Sequence, residues 1–387
     1  MTVVSPTTVV ETVSSAAAFE ALEGEWDDLV SAMQRPSPFL LHAWLSEWWR
    51  HYGDGGALAV HVVRQDRRLV GALPLMVAGK AGVRVVRFMG GRQSVLADVL
   101  LASDAADSVA GLLAERLLAS DHQLVDLYGT PAGSRIVAAL GRSRLHVIER
   151  IEAPVLKLLP SWTAVYETKT SAKTRSLHRR RRRQLAELGR LEVSVARTPA
   201  QLEEALEEAF RLHALRWEGR PDGSGFVTPT GMRFHRAVIQ RLAELDVPRI
   251  VTLTLDGRAI AFHYFFAFAG CMYVHRLAFD PALSRYSPGL VNTLDTLQVA
   301  ADEGLTRVEF LGGGERYKRE LADRFEPLHQ ALGLASGVRG HALLEAELGV
   351  IRLRMQLKRS PRLRRFYFDR LAPVRRLAAR SRNGLKP

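Results

Sequence analysis

One order of predicted helices and strands occurs twice in this sequence, at a spacing of about 150 residues. In the first copy, amphipathic helices at 16–33 and 39–52 precede three strand-like runs, a helix at 105–120 and a strand at 124–128. The second copy has the same order, with helices at 198–217 and 230–246, strands at 249–255, 258–268 and 271–279, a helix at 289–303 and a strand at 306–311. Such mixing predicts an α/β chain with mixed sheets, and the duplication predicts two domains, 1–160 and 161–335, followed by a tail at 336–387.

Composition excludes several classes of protein. The 387 residues are 47% hydrophobic and 25% charged, which is ordinary for a globular protein and rules out collagen-like and disordered chains. The single cysteine, Cys271, cannot form an intrachain disulfide, and we expect it to be a buried apolar residue rather than a nucleophile. No cluster has zinc-ligand spacing, so we expect no metal. No secretory signal is recognisable, and the run at 259–274 is too short to span a bilayer, so we expect a cytoplasmic protein.

The net charge of +13 is concentrated in two segments. Residues 169–183 carry +8 and residues 339–387 carry +11, which leaves −6 for the rest of the chain. A mildly acidic globule with two basic segments does not favour specific nucleic-acid binding. In the first segment, the helical stripe of Leu177, Leu185 and Leu188 includes Arg181, so we expect Arg181 to need an acidic partner.

The segment from Phe279 to Leu290 is the strongest local signal, because it joins a predicted strand to a predicted helix. Ser287 is a preferred N-cap, Pro288 suits the first helical position, and Gly289 lets another group approach the backbone. Free amides there suit a pyrophosphate, although a capped helix without a ligand explains the pattern equally well. Gly312-Gly313-Gly314 follows the next strand, but Tyr317 stands where a dinucleotide-binding loop needs its last glycine.

These motifs together resemble the GNAT acyltransferase superfamily, and specifically its CelD/BcsL-like branch, which is associated with cellulose and exopolysaccharide production. The resembling elements are Tyr273-Val274-His275, Phe279-Asp280-Pro281, Tyr286-Ser287-Pro288-Gly289, Glu309-Phe310-Leu311-Gly312-Gly313, Glu315-Arg316-Tyr317-Lys318 and, upstream, Ser171-Ala172-Lys173-Thr174-Arg175. They cover most of residues 168–333. The resemblance implies two tandem GNAT-like domains, the first degenerate and the second catalytic, plus a basic helical tail.

The resemblance also implies a co-substrate, acetyl-CoA or another acyl-CoA, lying between the splayed strands 271–279 and 306–311. Its implied binding residues are Arg285, Tyr286, Ser287, Pro288, Gly289 and Leu290. Ser284 departs from the usual Gln or Arg of the cofactor loop. The implied catalytic residues are Tyr317 as the acid and Glu309 or His275 as the base, and the candidate substrate-binding residues are His263, Lys173, Arg175, Glu315 and Lys318. A hydrogen-bonded core histidine is an equal alternative for His275 and the favoured one for His263.

By family association, the expected acceptor is an amino or hydroxyl group of a sugar, sugar nucleotide or cell-envelope polysaccharide precursor. Two alternatives remain open: a Fem-type transferase that uses aminoacyl-tRNA, and a non-catalytic scaffold at a membrane surface. In the tail, the spacing of the apolar residues predicts an amphipathic helix to Arg359, with Leu344, Leu348, Ile351 and Met355 on one face. Beyond Pro361, the arginines and the aromatic residues Phe366, Tyr367 and Phe368 would suit peripheral contact with an anionic membrane. The sequence gives no oligomeric state.

Overall fold

The computed structural model describes residues 7–158, 161–218, 225–312 and 315–359. Gly313 and Gly314, the predicted boundary at residue 160 and the tail beyond residue 359 lie outside the described residues. The first half of the chain contains ten strands, β1 Thr8–Val13, β2 Gly56–Leu58, β3 Val60–Gln65, β4 Arg68–Leu73, β5 Leu75–Lys80, β6 Val83–Phe88, β7 Leu100–Leu101, β8 Leu124–Pro131, β9 Leu145–Ile151 and β10 Pro154–Lys157. Its helices are α1 Ala16–Glu20, α2 Glu23–Ser31, α3 His42–Tyr52, α4 Asp107–Leu118 and α5 Arg135–Ala139.

The second half opens with two helices that have no counterpart in the first, α6 Trp162–Lys169 and α7 Ala172–Ala186. Its strands are β11 Leu191–Ala196, β12 Pro248–Leu255, β13 Arg258–Phe268, β14 Cys271–Phe279, β15 Arg307–Glu309, β16 Arg324–Phe325 and β17 Leu328–Gly333. Its remaining helices are α8 Pro199–Trp217, α9 Pro229–Glu244, α10 Pro288–Asp302, α11 Arg316–Leu321 and α12 Gly337–Arg359. The fold is therefore mixed α/β, as predicted, and the predicted element order is present in both halves.

The sheet structure of each half is mainly antiparallel and contains one parallel pair of strands. The second half has the seven-stranded order β11-β12-β13-β14-β15-β10-β16, in which β14 and β15 are parallel. The first half has the orders β1-β3-β4-β7 and β2-β5-β6-β8-β17-β9, in which β6 and β8 are parallel. Only Pro74 separates β4 from β5, so the two small sheets share one bent strand run. The repeated pattern gives two tandem domains of one architecture, followed by helix α12.

The two halves exchange a strand. The first half contributes β10 to the second sheet, where it pairs antiparallel with β15 and with β16. The second half contributes β17 to the first sheet, where it lies between β8 and β9 and pairs with both. The domain boundary at residue 160 stays a prediction. The hydrogen-bonded sheets are not separated at this residue, because each contains a strand from the other half.

One hydrophobic core continues across the boundary between the halves. Trp44 and Phe39 of the first half are fully buried, and their rings contact Phe234 and Phe266 of the second. Trp44 and Trp48 of α3 are therefore residues of this shared core. Cys271 is buried at the start of β14, where burial raises the pKa of its thiol to about 12, so it is an inert core residue as expected.

Two expectations about basic helices need correction. On α7 only Leu185 is buried, whereas Leu177 and Leu188 are each 43% exposed, so the predicted apolar stripe is absent. The ion pair from α7 to α10 is made by Arg182, whose Nη1 lies 2.6 Å from Oδ1 of Asp295, and not by Arg181. The helix of the tail does form.

Helix α12 packs Leu344, Leu348 and Ile351 against the first half's sheet, whereas Met355 is 37% exposed. The structure therefore confirms three of the four residues predicted for the apolar face of this helix. In the part of the chain that the structure describes, no helix has both the length and the apolar character needed to cross a membrane.

Candidate active site

The parallel strands β14 and β15 pair over only three residues and then separate. Their last paired residues are Tyr273 and Glu309, although β14 continues to Phe279. Beyond Glu309 the chain turns toward β10, since the amide of Phe310 donates to the carbonyl of Pro154 at 3.0 Å. Among the described residues, the outer half of β14 therefore has no partner strand on this side, and the family resemblance predicts a gap for an acyl-CoA here.

Helix α10 begins at this gap. Ser287 adopts a left-handed conformation (φ 57°), Pro288 follows at the first helical position, and the first turn contains no acidic residue. The amides of Leu290 and Val291 both donate to the carbonyl of Ser287, at 3.0 and 3.2 Å. The predicted pair of free amides is thus reduced to that of Gly289, because the Leu290 amide is already bonded.

The need for glycine at position 289 has a local cause. A Cβ atom on Gly289 would lie 2.7 Å from the ring of Phe279, which is closer than a real carbon contact. Packing against Phe279 therefore explains this glycine without a ligand. The neighbouring Arg285 is exposed, and its guanidinium lies over the ring of Tyr286 at 4.5 Å. Both of these predicted cofactor residues lie in the short 3-10 helix that precedes α10.

Tyr317, the predicted acid, lies in the first turn of α11 and faces the start of α10. Its hydroxyl is buried and, within the described residues, has no hydrogen bond of good geometry. The side chain of Thr293 on α10 lies close enough to interact with it. Thr293 itself donates to the carbonyl of Gly289 at 2.8 Å. Burial raises the pKa of Tyr317 above its ordinary value, so the phenol stays protonated and can donate.

Glu309, a predicted base, is enclosed by cations. Its buried carboxylate accepts from Arg35 of the first half at 2.9 Å and from Nε of Arg307 at 3.1 Å. Glu326 bridges the same two arginines, at 3.3 Å from Arg35 and 2.7 Å from Arg307. Both carboxylate oxygens are already engaged by guanidinium groups, so this geometry favours a structural role that joins the halves.

The two predicted histidines lie on opposite faces of the sheet, and neither ring nitrogen of either has a hydrogen-bond partner. His275 packs among Phe39, Trp44 and Phe266 on the face toward the first half. Burial lowers the pKa of His275 well below its usual value and that of His263 to about 3. Both rings are therefore neutral near pH 7 and weak bases. Both lie in the core, as the non-catalytic alternative expects, but without the expected hydrogen bonds among the described residues.

The remaining predicted substrate residues are occupied by local contacts. Lys318 is buried and donates to the carbonyl of Gly312 at 2.6 Å, while its ammonium lies 3.1 Å from Glu315. Arg175 donates to backbone carbonyls at the end of α6, including that of Glu167 at 3.1 Å. Lys173 is exposed on α7. Their substrate roles stay predictions. In the structure, Lys318 holds the loop at Gly312 and Arg175 caps the end of α6.

Sequence reasoning missed a polar cluster on the face of β14 opposite α10. Arg276, next to His275, lies beside His235 of α9 and opposite Tyr264 of β13. A positively charged residue in the middle of an otherwise apolar strand was the available signal.

A cavity of about 490 Å³ also lies between the halves, lined by Arg35, Asp98, Arg135, Arg307 and Glu326 among others. Asp98 accepts from Ser134 at 2.6 Å, and burial raises the pKa of its carboxyl to about 6.

Comparison with known proteins agrees with this geometry. Residues 172–319 match the family model of the acetyltransferase (GNAT) domain. None of the curated proteins matches the chain significantly.

Solved structures with the same fold include the C-terminal domain of a protein named as a lysylphosphatidylglycerol synthetase from Agrobacterium fabrum (14% identity, 86% of this chain and 96% of that chain, TM-score 0.54). FemX has 11% identity, with 83% and 96% covered and a TM-score of 0.54. L-PGS from Bacillus licheniformis has 15% identity, with 79% and 91% covered and a TM-score of 0.51. At these identities the likeness concerns the fold alone.

The family match falls on the half in which the parallel strands splay, where α10 begins at the gap and a buried phenol faces its first turn. The chain therefore carries an acetyltransferase domain of the GNAT superfamily over residues 172–319, and the protein is an acyltransferase.

Proposed function

We propose that the second half binds acetyl-CoA, or another acyl-CoA, between β14 and β15 and transfers the acyl group to an amino or hydroxyl group. The observation that carries the proposal is the buried Tyr317 hydroxyl, which lies near Thr293 of α10 and lacks a well-formed hydrogen bond among the described residues. A buried donor without a partner is costly, so it favours a site completed by a ligand. The bound thioester would supply the electrophilic carbonyl and the leaving thiolate.

The protein's own residues would divide the work as follows. The Gly289 amide and the positive end of α10 would hold the pyrophosphate, with Arg285 at the solvent side. Tyr317 would hold its proton at the hydroxyl until the leaving sulfur needs it, since the raised pKa keeps the phenol neutral. Unpaired amides on the outer half of β14 would donate to the carbonyl oxygen.

For the acceptor we propose a sugar, a sugar nucleotide or a precursor of cell-envelope polysaccharide, as in the CelD/BcsL-like branch that the motifs resemble. This part rests on the motif resemblance. We further propose a cytoplasmic protein that contacts the anionic inner face of the membrane. The exposed apolar residues Leu353 and Met355 at the end of α12, and the basic composition of residues 360–387, support this attachment. Salt-sensitive sedimentation with anionic vesicles, lost on deletion from Pro361 onward, would test it.

One observation favours a second candidate, transfer from aminoacyl-tRNA. Arg179, Arg180 and Arg183 are exposed on α7, which packs against α10 and the 3-10 helix before it, so their charges lie beside the proposed site. Solvated arginines near a transfer site suit RNA phosphates. A triple change of these arginines to Gln would then weaken binding of deacylated tRNA and reduce its salt dependence, while binding of CoA would not change.

Calorimetry with acetyl-CoA tests the main proposal with two variants at one position, of which one adds a negative charge and the other does not. Ser287→Asp places a carboxylate beside the Gly289 amide, and Asp tolerates the left-handed backbone there better than most residues. We expect at least tenfold weaker binding, about 1.4 kcal/mol. Ser287→Asn has almost the same shape without the charge and should lose less than threefold. Equal affinities for the Asp and Asn variants, or a wild type that binds tRNA and not CoA, would refute the acyl-CoA site.

A further inference from the structure

A single irregularity in the sheet brings two polar residues to one face. Tyr264 pairs with Arg276 and Phe265 pairs with Val274, so His275 is an extra residue on β14. This β-bulge breaks the alternation of the strand, and consecutive residues point to the same side. The ring of His275 lies 5.1 Å from that of His235, and the guanidinium of Arg276 lies over Phe226 at 5.8 Å. Both side chains therefore face α8, α9 and the first half of the chain.

Most polar atoms of this cluster lack partners among the residues that the structure describes. Seven buried atoms have no hydrogen bond: Nδ1 of His213, both ring nitrogens of His235 and of His275, the hydroxyl of Tyr264 and Nε of Arg276. Native interiors satisfy about nine in ten of such groups, so seven in one place indicate a site completed from outside the chain. Water could satisfy the neutral rings. It cannot balance the charge of the arginine.

Arg276 is a partly buried cation whose Nε is fully buried and whose hydrogen-bond partners are neutral. Its Nη1 donates to the carbonyl of His275 at 2.9 Å and its Nη2 donates to Oε1 of Gln93 at 3.0 Å. No carboxylate in the part of the chain that the structure describes lies within ion-pairing distance of it. Burial lowers the pKa of Arg276 to about 10, the direction expected for a cation without a counter-charge.

Another buried arginine shows the usual solution in the same domain. The guanidinium of Arg249 lies 3.1 Å from Glu303 and 3.1 Å from Asp246, and it also donates to the carbonyl of Pro248 at 3.0 Å. Arg249 is fully buried and Arg276 partly so, yet among the described residues only Arg249 has a counter-charge. Since an unpaired charge withdrawn from water is unfavourable, the buried edge of Arg276 suits an anion that arrives with a ligand.

We infer that Arg276 binds a carboxylate on the acyl acceptor, an inference that rests on the proposed acyl transfer. The free Nε–H and the adjacent Nη–H form one edge of the guanidinium, which matches a planar carboxylate. The neighbouring imidazoles are neutral because burial lowers the pKa of His213 to about 4 and that of His235 well below its usual value. The cluster thus carries one positive charge, which balances a carboxylate better than a phosphate dianion.

The position of the cluster assigns this carboxylate to the acceptor. Tyr317 and α10 pack on the face of the sheet that carries Val251, Phe265 and Val274. Arg276 lies on the other face, in the outer half of β14 beyond the last residue paired with β15. The acyl donor and the carboxylate would therefore reach the gap from opposite sides. Gln93, which holds the guanidinium, belongs to the first half, so that half shapes the acceptor site.

A stability comparison tests the missing counter-charge without knowledge of the acceptor. Arg276→Met keeps the length and removes the charge, so we expect the thermal midpoint to stay equal or rise. Arg249→Met is the matched control, and its midpoint should fall because Glu303 loses its partner. If Arg276→Met is destabilised as much as Arg249→Met, Arg276 has a structural counter-charge and the inference is wrong.

A matched pair of amino sugars tests the carboxylate. Muramic acid is a glucosamine that carries a carboxylate, and calorimetry can compare their binding in the presence of CoA. We expect the wild type to bind muramic acid at least tenfold more tightly than glucosamine. Arg276→Gln should abolish this difference, and Arg276→Lys should retain part of it. A wild type that binds muramic acid and a set of amino acids no better than Arg276→Gln does would overturn the inference.

The same variants also distinguish an anion on the acyl donor from one on the acceptor. If Arg276→Gln instead loses a preference for succinyl-CoA over acetyl-CoA, the anion belongs to the acyl group and the assignment to the acceptor fails. Loss of CoA binding in Ser287→Asp tests the proposed function alone, because Ser287 lies on the other face of the sheet. A carboxylate bound through Arg276 in a protein that never binds CoA would refute the proposed function and leave the anion site intact.

Discussion

The parallel strand pairs of the two halves end differently. In the second half β14 runs six residues beyond its last pair with β15, and α10 begins nine residues after β14 ends. In the first half β6 ends one residue beyond its last pair with β8, and a loop at 89–99 leads to β7 and then α4. That loop closes the gap, since the amide of Ala97 donates to the carbonyl of Gly129 on β8 at 3.1 Å.

Two further details of the first half oppose an anionic ligand. A Cβ on Gly129 (φ 89°) would lie 2.7 Å from the carbonyl of Val95, so the loop is packed directly on β8. Helix α4 begins with Asp107, whose negative charge lies at the helix end that would otherwise attract a phosphate. The comparison teaches that this architecture supports a ligand gap only where one strand continues beyond the parallel pair and its free edge is left uncovered.

Division of the chain gives the largest expected effect. If 1–160 and 161–387 are produced separately, each lacks a strand from the interior of its sheet, β17 in one case and β10 in the other. We expect neither fragment to unfold cooperatively by circular dichroism, because two buried sheet edges would be left unpaired. Co-production should restore a soluble complex. Independent cooperative unfolding of either fragment would show that its sheet does not depend on the exchange.

Glu309→Gln tests the ionic link between the halves. Removal of the charge leaves Arg35 and Arg307 with Glu326 alone, so we expect the free energy of unfolding to fall by about 3–5 kcal/mol in urea titrations. Activity per folded molecule should change little. A stable variant whose kcat is reduced a hundredfold would instead establish Glu309 as the base.

Tyr317→Phe tests whether the open half alone carries the chemistry. We expect kcat for acyl transfer to fall roughly 100-fold with nearly unchanged affinity for CoA, since a proton donor acts mainly in the transition state. Tyr128→Phe is the control. Tyr128 lies on β8, the first-half counterpart of β15, and its substitution should not change kcat. Normal turnover by the Tyr317 variant would remove this phenol from the mechanism.

Asp98→Asn examines the loop that fills the first half. The folded pKa of Asp98, about 6, lies above the ordinary value of 3.8, so the folded state binds the proton more tightly. Its contribution to stability is present below pH 3.8 and is lost as the pH rises through 6. We expect the Asn variant to be more stable by up to about 3 kcal/mol at pH 7.5, with a smaller gain at pH 4.5. A gain that does not vary with pH would contradict the assignment.

Arg182→Ala has the smallest expected effect. It removes the ion pair between α7, which the first half lacks, and Asp295 of α10. Because Arg182 is half exposed, the free energy of unfolding should change by at most about 1 kcal/mol. Affinity for CoA, measured by calorimetry, should stay within twofold. A larger loss of CoA affinity would make α7 part of the cofactor site.

The long strands and helices could be predicted because their signals are local. The short runs rich in β-branched and aromatic residues over 249–279, with the turn Asp256-Gly257 between the first two, predict β12–β14 from the sequence alone. The cap at Ser287-Pro288 predicts the start of α10. The exchanged strands could not be predicted. Both β10 and β17 are short, and the choice of a distant partner sheet is not encoded in their own residues.

The candidate site was predicted on one face only. Tyr317 and the start of α10 follow from the motif, but Arg276 did not, because period-two alternation places it opposite His275. One extra residue in β14 reverses that assignment and cannot be read from side-chain polarity. The neighbours Arg181 and Arg182 show the same difficulty on a helix, where a rotation of about 100° decides which side chain meets Asp295.

The exchange of β10 and β17 bears on how such a protein can change over generations. A half that has lost its ligand gap would ordinarily be free to disappear. Here its removal would also withdraw β10 from beside β15, in the sheet that carries the chemistry, and leave β17 without neighbours. The closed half is thus tied to its neighbour through backbone pairing, so it cannot be removed without unpairing the sheet that contains the open gap.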